Sequence, residues 1–355
     1  MCRPDKCPVH PVIVRAPKPG FKRVAAYGML AAMSDVRTKP KIVVAETYSP
    51  SAMQRLEAVG DVVLLDRPDE AAMIAAAADA DALVVRTYAT VTRRVIEAGR
   101  RLRVIARGGV GLDNIDVKAA REHGVLVVHT PAASTHAVAD LTIGLIIAVQ
   151  RGLAACDRQF RTADFARLRA SVPQPSELRH QTLGIIGMGR IGSQVGRRAA
   201  AGFGMRVIYN DIRPVGPFDF AAESVSCDDV LAGADVVTLH VPLTRLTRGM
   251  IDRTALAKMR KTAILINAAR GPVVVAADLA EALREGRIAG AGIDVFDPEP
   301  PPPDHPLLAA PNCVLTPHIA ARSREALAAM NDVVDDVVAV LQGRPPAWPA
   351  EIENE

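Results

Sequence analysis

Aromatic residues are scarce in this 355-residue chain: one Trp, four Tyr and seven Phe, 3% of the total. A groove that stacks successive nucleic-acid bases needs aromatic platforms, and this chain has few to offer. Positive charge is also lacking where it would matter. The formal net charge is +4. Residues 1–40, however, hold eight bases (Arg3, Lys6, Arg15, Lys18, Lys22, Arg23, Arg37, Lys39) against Asp5 and Asp35, a balance of +6 that leaves the remainder at −2. A slightly acidic body is a poor partner for a polyanion, so no nucleic acid is expected. Cysteine is limited to Cys2, Cys7, Cys156, Cys227 and Cys313. The odd count and wide spacing exclude a disulfide framework and predict a reducing, cytoplasmic setting. No apolar run approaches the ~18–20 residues that cross a bilayer, so no membrane partner is expected. The stretch Val24–Met33 follows Lys22 and Arg23 but lacks the small-residue cleavage site of a signal peptide.

What remains is an ordinary globular composition, 49% hydrophobic and 23% charged, long enough for two domains. The first forty residues carry five prolines before Phe21 and no periodicity; they read as a flexible basic arm. Cys2, Cys7 and His10 within it are an incidental grouping, and no metal is expected. Met33 opens "MSDVRTKPKIVVAE", and the functional start is expected near Met29 or Met33.

From Lys41 onward short apolar runs alternate with helix-forming stretches. Ile42–Ala45, Val62–Leu65, Leu83–Val85, Val104–Ala106 and Leu126–Val128 form a first series, with helices over stretches such as Pro50–Val59 and Pro68–Ala78. Thr182–Ile186, Arg206–Tyr209, Asp235–Leu239, Ala263–Ile266, Ala289–Ile293 and Cys313–Leu315 form a second. Runs that are apolar on both faces and spaced by helices predict parallel sheets covered on both sides. The fold class is thus α/β, with two doubly wound parallel-sheet domains. One long helix is expected from Thr135 to Ala155 as a hinge, and another from Ser323 to Leu341, returning to the first unit.

The sharpest local motif is Gly187-Met188-Gly189-Arg190-Ile191-Gly192. It follows the strand "TLGII" and opens a helical stretch, the context that makes G-x-G-x-x-G a dinucleotide fingerprint. Gly187 permits the tight turn, Gly189 lets the backbone approach a pyrophosphate, and Gly192 lets helix pack on strand, while the helix N-terminus attracts phosphate. Asp211 lies 19 residues past Gly192, after "RVIYN". A carboxylate there accepts from the ribose hydroxyls and repels a 2′-phosphate, so NAD is the expected cofactor, with Arg213 close enough to soften the preference. FAD and SAM sites share such glycine turns.

Three polar residues follow. Arg270 sits in "ILINAARGPVV", Glu299 in "GIDVFDPEP" and His318 in "VLTPHIA". Arg270 and His318 both come just after strands, where open α/β sheets bind ligands. With spacings of 29 and 19 residues they can meet only through the sheet.

Six ordered motifs together resemble the D-isomer-specific 2-hydroxyacid dehydrogenase family, which includes phosphoglycerate dehydrogenases and glyoxylate/hydroxypyruvate reductases. They are "RGGVGLDNID", "TLGIIGMGRIG", "LHVPLT", "NAARG", "GIDVFDPEP" and "LTPHIA", and the likeness runs from about Lys41 to Arg344. The resemblance implies a Rossmann NAD-binding domain at 137–318 inserted into a flavodoxin-like substrate domain made of 41–136 and 319–345. It implies that Arg270 holds the substrate carboxylate and polarises the 2-oxo group, that His318 is the acid/base, and that Glu299 bonds the imidazole. A planar guanidinium and an imidazole suit those tasks. It further implies that Asp294 contacts the nicotinamide, that Arg190 and Ile191 lie beside the pyrophosphate, and that Ala268 and Ala269 line the cofactor. Backbone N–H groups of Gly109, Val110 and Gly111 are implied to cradle the substrate carboxylate, with Arg86 near the substrate mouth, and a homodimer is expected through the nucleotide domain.

The chain departs from common family patterns near that mouth. Ala89 stands where a threonine is usual, and the stretch before the hinge reads His129-Thr130-Pro131, then Ser134, then Ala137-Val138-Ala139-Asp140, closer to the reductase form. The sequence stops soon after the last helix, so the serine-sensing domain of some phosphoglycerate dehydrogenases is not expected. Two rival readings stay within the fold: an NADH-sensing corepressor-like binding protein, and a formate- or phosphite-oxidising relative. Formate dehydrogenases usually carry glutamine where this chain has Glu299. Among the other histidines, His240 is expected to be structural, His305 to lie in a Pro-rich loop, and His129 and His136 to flank the entry to the hinge helix.

Overall fold

The computed structural model describes residues 39–66 and 68–350. The expected start near Met29 or Met33, the stretch Val24–Met33 and the Cys2–Cys7–His10 grouping lie outside the described residues.

Two sheets, parallel throughout, give the expected doubly wound class. The first contains β1 (Lys41–Val44), β2 (Asp61–Leu64), β3 (Ala82–Val85), β4 (Val104–Arg107) and β5 (Leu126–His129), in the order β2-β1-β3-β4-β5. This is the flavodoxin-like order. The second contains β6 (Thr182–Ile186), β7 (Arg206–Asn210), β8 (Glu223–Ser224), β9 (Val236–Leu239), β10 (Ile264–Asn267), β11 (Gly290–Ile293) and β12 (Cys313–Leu315). Its order, β12-β11-β10-β9-β6-β7-β8, is that of a Rossmann sheet with one added strand. β3, β9, β10 and β11 are buried at every position, the consequence of having helices on both faces.

Short polar residues start the helices. Ser49 accepts from the Ala52 N–H ahead of the helix Pro50–Glu57, and Asp69 from the Ala72 N–H ahead of Glu70–Ala77, each satisfying an otherwise orphaned donor. The helix Thr135–Gln150 lies against the second sheet. A Cβ at Gly290 would come within 2.7 Å of Val149 and one at Gly292 within 3.1 Å of Leu145, so the glycines of β11 make room for it. The helix Val333–Leu341 packs its valines on the first sheet, against Ile42, Val44, Val84 and Val104.

Both long helices differ from expectation. The first stops at Gln150, because Gly152 adopts a left-handed conformation (φ 59°), and a separate helix Leu153–Phe160 follows. The last is two helices, Arg324–Asn331 and Val333–Leu341, meeting at Asp332. Among the described residues no single helix is long and apolar enough to cross a membrane. Thr135–Gln150 and Leu153–Phe160 meet the requirement only together, with a 61° bend, and the first of them buries Leu145, Ile146 and Val149 in the core. β8 escaped the sequence reading because both its residues are exposed and polar. Past the last helix, Pro349 bridges Val128 antiparallel, and the buried Asp336 carboxylate accepts from the N–H groups of Ala347 and Trp348.

Candidate active site

Each sheet reverses its strand order once, and chemistry-bearing residues gather at the carboxyl ends of the strands beside each reversal. In the second sheet the reversal lies between β6 and β9. Gly187 leaves β6 with φ 93°, and its position is closed to a side chain, since a Cβ would lie 2.7 Å from the His240 carbonyl. A Cβ at Gly192 would collide with the Gly187 carbonyl, so the helix Arg190–Phe203 starts against the loop. A Cβ at Gly189 meets nothing within 4 Å. The loop is therefore tight toward the protein and open toward solvent at its middle glycine, in front of a 14-residue helix. Asp211, beyond β7, accepts from the Met188 N–H at 2.8 Å and from the Arg213 N–H at 2.9 Å. Val138, Ala268 and Ala320 form a small apolar cluster bordered by Ile191. An open glycine loop, a carboxylate at the end of the second strand and a small-residue apolar wall together fit a dinucleotide.

Asp294 is fully buried. Its carboxylate accepts from Thr316 Oγ1 at 2.6 Å and from the N–H groups of Ile319 and Ala320 at 2.9 Å, and its carbonyl from the His318 N–H at 2.8 Å. This carboxylate thus builds the loop that carries His318, a residue held in the left-handed region at φ 52°.

His318 Nδ1 lies 2.7 Å from Glu299 Oε2, and Glu299 Oε1 accepts from the Phe296 N–H at 2.9 Å. Burial works to raise the Glu299 pKa, but the hydrogen bonds from His318 and Phe296 outweigh it, and Arg270 adds to the effect; the carboxyl lies below its ordinary value. An ionised carboxylate can only accept, so Nδ1 donates and Nε2 is left for proton exchange with a ligand.

Arg270 lies in electrostatic reach of Glu299 and reaches toward the other sheet. Its Nε–H donates to Asp113 at 2.6 Å and an Nη1–H to the Ala269 carbonyl at 2.7 Å. A Cβ at Gly111 would collide with the Arg270 guanidinium, and a Cβ at Gly109 with Arg107 Nη1. The Gly109–Gly111 loop is thus enclosed by two guanidiniums. Arg107 is largely buried, and its Nε has no hydrogen-bond partner among the described residues. Burial first, and the Arg270 charge second, push its pKa down to about 10. The Val110 carbonyl is held by His129 Nδ1 at 2.9 Å.

Arg86 stands at the other switch point, between β1 and β3. Its guanidinium lies 5.4 Å from the Tyr48 ring centroid and donates to the Thr47 carbonyl at 3.2 Å. The Glu46 carboxylate accepts from the N–H groups of Arg86, Tyr88 and Ala89 at 2.9, 2.9 and 3.2 Å, which fixes that loop. Tyr48 is buried, with its hydroxyl donating to the Val85 carbonyl at 2.8 Å and accepting from the Gly108 N–H at 3.1 Å.

Of the remaining histidines, His136 accepts from Arg198 at 3.2 Å, and so is engaged by the helix Arg190–Phe203. His240 meets Thr238 Oγ1 at 3.0 Å, and burial lowers its pKa to about 3, so it is neutral. Sequence reading did not single out Glu46, Tyr48, Asp113 or Asn267. Asp113 and Asn267 stood within quoted motifs; Glu46 and Tyr48 carried no signal beyond following a strand.

The profile describing the D-isomer specific 2-hydroxyacid dehydrogenase NAD binding domain matches residues 143–320. The chain belongs to this family. It is 42% identical over 310 residues to a D-3-phosphoglycerate dehydrogenase of Methanocaldococcus jannaschii, covering 85% of this chain and 58% of that one. This chain thus spans little more than half the length of the phosphoglycerate dehydrogenases it matches. A glyoxylate reductase of Thermofilum pendens is 37% identical over 326 residues, 89% of this chain and 95% of the relative. Among solved structures, an NADPH-dependent glyoxylate/hydroxypyruvate reductase of Sinorhizobium meliloti, in complex with NADP and malonate, superposes with a TM-score of 0.79. It is 32% identical, and the match covers 88% of this chain and 97% of the reductase.

Proposed function

We propose that the chain is an NAD-dependent oxidoreductase that interconverts a small D-2-hydroxy acid and its 2-oxo acid, of the phosphoglycerate, glycerate/hydroxypyruvate or glycolate/glyoxylate class. One observation carries this reading. Arg107 and Arg270 enclose the Gly109–Gly111 loop, with Asp113 bonded to Arg270, beside a His318–Glu299 pair. Two guanidiniums facing one glycine loop make a site suited to an anion, and the histidine dyad beside it can move a proton.

In this reading the substrate domain is 41–136 with 319–345, and the nucleotide domain is 137–318. Gly187, Gly189 and Gly192 with Arg190 and Ile191 hold the pyrophosphate of NAD; Asp211 holds the adenosine ribose; Ala268, Ala269 and Asp294 border the nicotinamide. When bound, that group supplies or accepts the hydride at C2 of the substrate. The residues do the rest. Backbone N–H groups of Gly109, Val110 and Gly111 and the Arg270 guanidinium hold the carboxylate. Arg270 also draws charge toward the 2-oxo oxygen. His318 Nε2 gives that oxygen a proton in reduction and takes it back in oxidation, while Glu299, bonded to Nδ1, fixes the tautomer and the ring orientation. Arg86 lies toward the far end of the substrate, where a second anionic group would sit.

The negative charge of Asp211 disfavours a 2′-phosphate, which supports NAD over NADP. A homodimer accords with the helix Leu153–Phe160, which buries none of its residues, and with the exposed Leu153, Phe160 and Phe165 on this helix and its neighbour. Three described cysteines, Cys156, Cys227 and Cys313, are unpaired, in keeping with a cytoplasmic setting. A screen of NADH and NADPH oxidation over a panel of 2-oxo acids, with chiral analysis of the product, tests the proposal. A D-2-hydroxy acid formed from at least one of them is expected. Cofactor binding without turnover of any would favour a binding protein instead.

A further inference from the structure

His305 is 5% exposed and has no part in the site described above. Its Nδ1 accepts from the Leu307 N–H at 3.4 Å, at the start of the short helix Pro306–Ala309. A ring nitrogen that accepts is unprotonated, so in the neutral imidazole the proton sits on Nε2. That Nε2–H is buried and has no acceptor among the described residues. A buried donor left unmade costs ~1–3 kcal/mol. A cavity of about 10 Å³ is lined by His305 together with Asn267, Gly271, Phe296 and Asp297. This is room for one water.

The lining residues stand directly behind the reacting groups. Phe296 packs edge-on to the His305 ring at 5.6 Å and donates its N–H to Glu299. A Cβ at Gly271 would collide with the Phe296 carbonyl, so the turn that carries Arg270 abuts the turn that carries Glu299. Asn267 donates to the Arg270 carbonyl and accepts from the Ala269 N–H, both at 3.0 Å.

We infer that His305 is a positioning residue, whose Nε2–H, through one water held in this cavity, ties the turn of Glu299 to the turn of Arg270. It touches no reacting atom. It sets the distance between the proton donor's partner and the carboxylate clamp, and misplacement of reacting groups by an ångström costs roughly a hundredfold in rate. The inference rests on the proposed reaction.

Two substitutions separate the two ring nitrogens. His305→Asn keeps an acceptor where Nδ1 stands and leaves nothing at Nε2; His305→Gln keeps an amide nitrogen near Nε2 and gives up the cap. The expected result is a kcat at least about tenfold lower in His305→Asn, with NADH affinity unchanged and faster amide exchange across residues 294–300. His305→Gln restores both. Wild-type kcat and exchange in His305→Asn, or a His305→Gln as impaired as His305→Asn, would overturn the inference. A wild-type protein that turns over no 2-oxo acid would refute the proposed function, and the exchange comparison would still decide the role of His305.

Discussion

Arg270, at the end of β10 in the second sheet, donates its Nε–H to Asp113, in the loop after β4 of the first, at 2.6 Å. The Arg270 guanidinium, the proposed carboxylate clamp, is therefore oriented from across the two sheets. Removing the charge on Asp113 while keeping its shape should loosen the clamp without touching the cofactor loop. For Asp113→Asn we expect KM for the 2-oxo acid to rise about tenfold, the worth of one charge-assisted hydrogen bond, with NADH affinity unchanged. Steady-state kinetics with a fluorescence titration of NADH would check it; an unchanged KM would show that Arg270 is held by other means.

Arg107 illustrates a trade between stability and binding. Its guanidinium is largely buried beside Gly109, with an unpartnered Nε and a second guanidinium nearby. An apolar side chain of similar length relieves that cost, so Arg107→Met should be more stable than wild type by about 1–3 kcal/mol. The same change removes half of the positive field around the loop, and KM for the substrate should rise. Denaturant unfolding together with KM separates the two effects. A variant that loses stability would mean that Arg107 is satisfied in solution.

Glu299 gives a pH dependence of definite sign. Its carboxyl lies below the ordinary 4.5 because the bonds from His318 and Phe296 outweigh burial. A carboxyl depressed in the folded state contributes stability that is present above the unfolded value and lost as pH falls through the folded one. The melting temperature of wild type should thus exceed that of Glu299→Gln at neutral pH, and the gap should close only below the ordinary value. Thermal unfolding from neutral to acidic pH measures it. A gap that closes above about pH 5 would contradict the assignment.

Asp211 is bonded to the Met188 and Arg213 N–H groups, so an alanine there would disturb the glycine loop itself. Asparagine keeps an acceptor and removes the charge. The ratio of kcat/KM for NAD to that for NADP should fall at least about tenfold in Asp211→Asn, since a repulsion between neighbouring charges is lost. An unchanged ratio would assign cofactor choice to another group.

The two parallel sheets were legible because β1, β3, β4, β9 and β10 are built mostly of apolar residues on both faces, with their polar residues few (Lys41, Arg107, Thr238, Asn267), a pattern that burial on both faces imposes. The glycine loop, Arg270, Glu299 and His318 were legible because each follows a strand within a distinctive motif. Gly152 and Asp332 show where local reading failed. The breaks come from one left-handed glycine and from Asp332, whose ψ of −8° departs from the helix while its φ stays helical. The supporting residues were silent for another reason. Glu46 acts by accepting three backbone N–H groups of a loop some 40 residues away, and Tyr48 by joining the Val85 carbonyl to the Gly108 N–H, and neither relation leaves a spacing in the sequence.

His318 is the residue on which the account turns. NADH oxidation by wild type and by His318→Ala, with glyoxylate, hydroxypyruvate and 3-phosphohydroxypyruvate, measured beside NADH binding to each protein, tests it directly. The account expects turnover of at least one of these acids by wild type, a loss of roughly a thousandfold in the variant, and equal NADH affinity in the two. A His318→Ala protein that reduces the same acid at the wild-type rate would contradict it.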